Sequence, residues 1–139
     1  MRLFLDANVL FTAAHNPSGK ALALVEAALA GRWHLVTSRL AADEARRNLH
    51  RKYPEAGDRL DAVLAAVRIV PSVRPDIEGE AALPESDRLI LAAALACRAT
   101  HLLTGDVAHF GPLMKRPKAT GGVIVRTVAE FLAERLAEG

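Results

Sequence analysis

Residues 2–10 read RLFLDANVL. Leu3, Phe4 and Leu5 make a short apolar run, Asp6 interrupts it, and Val9 and Leu10 follow after Asn8. A continuous apolar run of this length, without polar alternation, suits a strand buried on both faces. A carboxylate at the end of such a strand needs compensation, because an unpaired buried charge costs several kcal/mol or shifts its pKa. What compensates Asp6 decides whether RLFLDANVL is a strand and a turn or the first wall of a site.

Four more runs of the same kind occur: Trp33–Thr37, Val67–Val70, His101–Thr104 and Val123–Val125. Helical patterns lie between most of them. Ser18 is placed to cap a helix through ALALVEAALA, which Gly31 stops. A second helix is expected from Leu40 to Lys52, before Pro54, and a third from Glu55 to Ala66. A fourth starts near Pro84 and carries SDRLILAAALACR. The last begins at Thr127, where Thr127 and Glu130 have the spacing of a capping box. Strands alternating with helices imply right-handed crossovers and a mainly parallel sheet, hence a single three-layer α/β/α domain over residues 1–139. Residues 71–84 and 109–122 read as loops.

Bulk composition narrows the classes. Of the 139 residues, 51% are hydrophobic and 24% charged, which excludes an intrinsically disordered chain. Aromatics at 4% argue against a base-stacking platform as the dominant feature. A net charge of +2 leaves nucleic-acid binding to depend on where the charges sit. Cys97, the one cysteine, rules out an internal disulfide and reads as a small core residue. No uncharged stretch reaches the roughly 18 residues a membrane span needs, and no secretory leader opens the sequence. These features point to a cytoplasmic protein with no membrane partner.

Acids recur where the expected strands end. Asp6 follows the first, Thr104-Gly105-Asp106 the fourth, and Thr37-Ser38 the second, with Asp43 and Glu44 a turn or so further on. Asp87 opens the fourth helix. Ligands of open parallel sheets bind beyond the carboxyl ends of the strands. Carboxylates gathered there repel, and stay ionised together only around a cation. Oxygen donors suit Mg²⁺ or Mn²⁺, ions that acidify water and stabilise charge on a phosphate. The chemistry indicated is metal-assisted phosphodiester hydrolysis. Each acid also has an ordinary alternative: a turn residue at Asp6 or Asp106, a first-turn helix acid at Asp87, a solvated charge at Asp43 or Glu44.

The segments LFLDANVL, SRLAADEARRNL, SDRLILAAALACRATHLLTGD and GVIVRTVAEFL, in this order over nearly the whole chain, resemble a PIN domain, closest to the bacterial toxin components of toxin–antitoxin pairs. The resemblance implies a parallel five-stranded sheet in the order 3-2-1-4-5, so that Asp6 and Asp106 face each other across the switch point. It implies an acidic site of Asp6, Glu44, Asp87 and Asp106, with Asp6, Asp87 and Asp106 holding metal and Asn8, Ser38 and Thr104 in support. Glu44 fits the family spacing from Ser38; Asp43 points about 100° away on the same helix. The implied activity is that of a Mg²⁺- or Mn²⁺-dependent endoribonuclease that acts on RNA, dimerises with itself and is inhibited by a separately encoded antitoxin. One departure stands out. Where many members carry a further acid three residues after the last aspartate, this chain has His109, which can bind metal or contact phosphate.

Basic residues cluster at Arg39, Arg46, Arg47, Arg51 and Lys52, on or beside the second expected helix, and at Lys115, Arg116 and Lys118 in the second loop, both clusters near the rim of the acidic pocket. They are candidate RNA contacts, supplying phosphate affinity without sequence specificity. A competing expectation is a PIN scaffold that binds RNA or a protein and cleaves poorly, favoured by His109. The first motif is also similar to the nucleophile strand of haloacid dehalogenase phosphotransferases, but the second acid they need two residues on is Asn8 here.

Overall fold

The apolar run after Met1 forms strand β1 (Arg2–Leu5) in a computed structural model that describes residues 1–72, 84–114 and 116–138. Leu3, Phe4 and Leu5 are all fully buried. Because successive strand residues point to opposite faces, both faces of β1 are covered. The other strands are β2 (His34–Ser38), β3 (Arg68–Val70), β4 (His101–Leu103) and β5 (Ile124–Arg126). They form one sheet in the order β3-β2-β1-β4-β5, with every pair parallel. Phe4 is in register with Val36 on one side and Leu102 on the other. Order and direction match the sequence expectation. The exposed edge strand departs from it: Arg68 and Ile69 of β3 face solvent, so that run is not buried on both faces.

Seven α-helices flank the sheet among the described residues: α1 (Ala7–His15), α2 (Lys20–Leu29), α3 (Arg39–Lys52), α4 (Gly57–Ala65), α5 (Glu85–Ala96), α6 (Val107–Phe110) and α7 (Val128–Glu138). The sequence reading missed α1 altogether. Its buried residues Ala7, Leu10, Ala13 and Ala14 keep helical three- and four-residue spacing, while the adjacent Asp6 and Asn8 mimic a turn. It also read residues 109–122 as plain loop, whereas α6 and two 3₁₀ turns, Gly111–Leu113 and Pro117–Thr120, begin before it and run through it. The expected loop over residues 71–84 falls almost wholly outside the described residues.

Cap residues also differ from expectation. Gly19, not Ser18, precedes α2, and the Ser18 hydroxyl donates to Asn16 Oδ1 at 3.1 Å instead. Pro84 sits just outside α5, with extended ψ, rather than in its first turn. The α7 capping box is made as read: Glu130 N donates to Thr127 Oγ1 at 3.1 Å and Thr127 N to Glu130 Oε1 at 2.9 Å. Gly31 follows α2 with φ +88, a left-handed conformation that releases the chain toward β2. Trp33, expected in a strand, lies just before β2, where its indole N–H donates to Leu24 O at 3.1 Å and its ring meets Phe131 edge-on. No described helix is long and apolar enough to cross a membrane.

Candidate metal centre

At the carboxyl ends of β1 and β4 the chain leaves toward α1 from one strand and α6 from its neighbour. Asp6 N continues the ladder to Leu103 O at 3.0 Å, and Thr104 N bonds Arg126 O at 3.0 Å. The two residues are thereby fixed side by side. Asp6 is 5% exposed and caps α1: its Oδ1 accepts from Ala7 N at 2.7 Å. Its Oδ2 accepts from Thr104 Oγ1 at 2.8 Å and from Asn8 Nδ2 at 3.3 Å. Compensation for the buried carboxylate is therefore partial. Burial pushes its pKa up to about 6, against the pull of the Thr104 and Ala7 hydrogen bonds, and the charges of Asp87 and Glu44 push the same way.

Asn8 ties the two strand ends together. Its Oδ1 accepts from Gly105 N at 2.7 Å. A Cβ on Gly105 would stand 3.3 Å from that oxygen, a tight contact that Asn8 would have to yield to by a few tenths of an ångström. Thr104 Oγ1 accepts from Asp106 N at 3.0 Å, linking the Asp6 carboxylate to the next acid through one hydroxyl.

Asp106 caps the short α6, its Oδ1 accepting from His109 N at 3.1 Å. That cap brings the His109 ring back over the acids. Its Nδ1 lies 2.6 Å from Asp106 Oδ2 and 2.9 Å from Asp87 Oδ2. Asp87, in the first turn of α5, is 9% exposed. Burial raises its pKa; His109 counteracts this, and the charges of Asp106 and Glu44 reinforce it. Its Oδ2 is fully buried and accepts no hydrogen bond, since the nearby ring nitrogen is aligned on Asp106 instead.

Asp6, Asp87, Asp106 and Glu44 line one cavity of about 200 Å³. Glu44 reaches it from α3, whose first turn is capped by Ser38 Oγ accepting from Ala41 N at 3.1 Å. Asp43, one residue away on the helix, does not line it. Lys52, expected at the rim, lines the cavity, and three residues that the sequence reading did not place there complete the walls: Ala7, Phe11 and Asn48. Glu44, Asn48 and Lys52 are spaced by four, one face of α3, a signal present in the sequence once Glu44 is chosen. Phe11 comes from the unforeseen α1. Its ring is 5.9 Å from those of His15 and Tyr53, which stack on each other at 3.8 Å, and Lys52 Nζ sits 5.8 Å from its centre. One of the scarce aromatics thus stands beside the acids, which composition could not show.

Of the expected basic residues, Lys52 lines the cavity. Arg46 turns to α4 and pairs with Asp61 at 2.8 Å. Arg39, Arg116 and Lys118 are exposed and do not line the cavity, and Lys115 lies outside the described residues. Ser38 and Thr104 act on the cavity through the helix and the carboxylate they hold.

Oxygen donors of this kind fit a divalent cation. Four carboxylates share a small cavity, and one buried oxygen, Asp87 Oδ2, has the His109 ring nitrogen beside it and no aligned hydrogen bond. A parallel α/β domain with carboxylates converging at the strand-order reversal defines a class of acid-centred α/β proteins. The PIN domain family matches residues 2–108, and the chain belongs to that family, whose members are in general nucleases. No curated protein matches the sequence. Solved structures share the fold. VapBC2 from Rickettsia felis, bound to a promoter DNA fragment, is 18% identical over 91% of this chain and 98% of its own, with TM-score 0.68. VapBC-1 from nontypeable Haemophilus influenzae is 14% identical over 93% and 99%, with TM-score 0.61. A toxin–antitoxin complex from Klebsiella pneumoniae is 21% identical over 91% and 97%, with TM-score 0.60.

Proposed function

We propose that the protein is a Mg²⁺- or Mn²⁺-dependent endoribonuclease and the toxin of a toxin–antitoxin pair. The observation that carries the enzymatic reading is the convergence of Asp6, Glu44, Asp87 and Asp106 on one cavity, with Asp87 Oδ2 buried and unbonded. The bound ion supplies acidified water and neutralises charge at the scissile phosphate. Asp6, Asp87 and Asp106 would hold it, and Glu44, which lines the same cavity, would be a further oxygen donor to the ion or its water. Thr104 and the Ala7 amide keep the Asp6 carboxylate in place. Lys52 meets substrate phosphate at the mouth, and Phe11 gives an apolar wall beside it. The toxin assignment is supported by likeness to the solved toxin–antitoxin complexes, and the partner it implies is a separate inhibitor protein.

Calorimetric titration with Mn²⁺ tests the metal site without knowing the RNA. Wild type is expected to bind into the millimolar range or tighter and Asp6→Asn to lose binding by roughly tenfold or more. Equal binding by both would remove Asp6 from the site; no binding by either would leave the acids structural. A small open reading frame beside the gene, whose product co-purifies with this chain and blocks cleavage, is expected from the toxin reading.

A further inference from the structure

We infer that His109 is a ligand of the metal centre, and that its imidazole turns an otherwise all-oxygen site toward first-row transition ions and away from Mg²⁺. The inference rests on the metal-site reading above and adds to it the choice of ion. His109 Nδ1 and one oxygen each of Asp87 and Asp106 all lie within 4.8 Å of one another, close enough to meet on a single ion. Asp87 Oδ2 is the second observation: buried, without a hydrogen bond, and 2.9 Å from that nitrogen. The ring is not a loose loop side chain. Its own backbone N–H is fixed to Asp106 Oδ1 by the α6 cap, so the same carboxylate that would bind an ion through Oδ2 also sets where the imidazole stands.

Ligand chemistry then separates the ions. Mg²⁺ favours oxygen donors, holds near-ideal octahedral geometry and gives up its waters reluctantly. Imidazole nitrogen is a donor for the softer first-row ions, whose affinity rises from Mn²⁺ toward the later metals. A carboxylate at residue 109 would leave the site hard and more negative. Histidine there removes a charge and adds a nitrogen, and both changes weaken Mg²⁺ more than Mn²⁺ or Co²⁺.

The test uses the full chain, Mn²⁺ and Mg²⁺ as probes, and the variants His109→Asp and His109→Gln. With Mn²⁺ bound, wild type is expected to show ¹⁴N modulation in pulsed electron paramagnetic resonance, and both variants are expected to lack it. The ratio of Mn²⁺ to Mg²⁺ affinity by calorimetry is expected to fall roughly tenfold in His109→Asp. Mn²⁺ binding with no ¹⁴N modulation overturns the inference while leaving the metal site standing, and so does an unchanged affinity ratio. Failure of wild type to bind Mn²⁺ at all overturns both. The His109 side chain is half exposed, so the variants are expected to fold, which circular dichroism checks; His109→Gln keeps a side chain able to hydrogen-bond Asp106 and separates ligation from positioning.

Discussion

Asp6 carries two duties that pull against each other. As a helix cap and hydrogen-bond acceptor it is a structural residue, and as a buried carboxylate among others it is a charge the fold resists. The raised pKa gives the sign. A carboxyl whose folded value lies above its ordinary value of 3.8 favours the fold most while protonated, and that contribution is lost as pH rises through about 6. Asp87 is shifted in the same direction by its own burial. In chelator, wild-type stability is therefore expected to drop by roughly 1–2 kcal/mol from Asp6 between pH 5 and pH 7.5, with Asp6→Asn showing a shallower slope in urea unfolding. Equal slopes would mean that Asp6 ionises without cost in the folded protein. The sequence made Asp6 conspicuous because a strand end is an unusual place for a carboxylate, but it could not supply Thr104, which arrives from 98 positions away.

At the scale of the element, α3 shows how one helix sorts its charges. Glu44, Asn48 and Lys52 line the cavity, while Arg46 points to Asp61 on α4. A helix turns too far per residue for Arg46 to share the face of Glu44. Lys52→Ala is expected to weaken binding of a fluorescein-labelled single-stranded RNA, measured by anisotropy with Ca²⁺ as the ion, and to lower the salt slope by about one. Arg46→Ala is expected to change neither. The opposite ranking would place the nucleic acid on the α4 side of α3. Helix α1 is the counterpart case. Its alanines and Leu10 hold the helical stripe, yet the Asp-Xaa-Asn start looks like a turn when read alone, so Phe11 stayed invisible as a wall of the site.

For the whole molecule, the cavity is a cost that a ligand can repay. Four acids on one cavity lower the stability of the ion-free fold, so an ion bound only by the folded state must raise it through linkage. Mn²⁺ at a hundred times its dissociation constant is expected to add about 2.7 kcal/mol, a rise in melting temperature of roughly 8 °C for a chain of this size. Asp106→Asn is expected to show almost none of that rise. A melting temperature indifferent to Mn²⁺ in wild type would argue that the acids bind no ion in the folded state.

Strand runs, the parallel α/β class and the acids at the strand ends were legible in the chain itself, while the order of the sheet was what the PIN resemblance implied. They depend on local apolar runs, on helix periodicity and on motifs that keep their order, all of which are properties of neighbouring residues. That Glu44 rather than Asp43 reaches the cavity agrees with the family spacing from Ser38 that the resemblance implied. Tertiary structure alone decided the rest. It brought Thr104 to Asp6 and Gly105 to Asn8, left Asp87 Oδ2 buried without a hydrogen bond, and folded His109 back between two carboxylates. It also directed Arg46 to Asp61 and gathered His15 and Tyr53 around Phe11, which lines the cavity. The contacts of Thr104 and Gly105 with Asp6 and Asn8 join residues nearly a hundred positions apart, and they exist because β1 and β4 lie side by side where the strand order reverses.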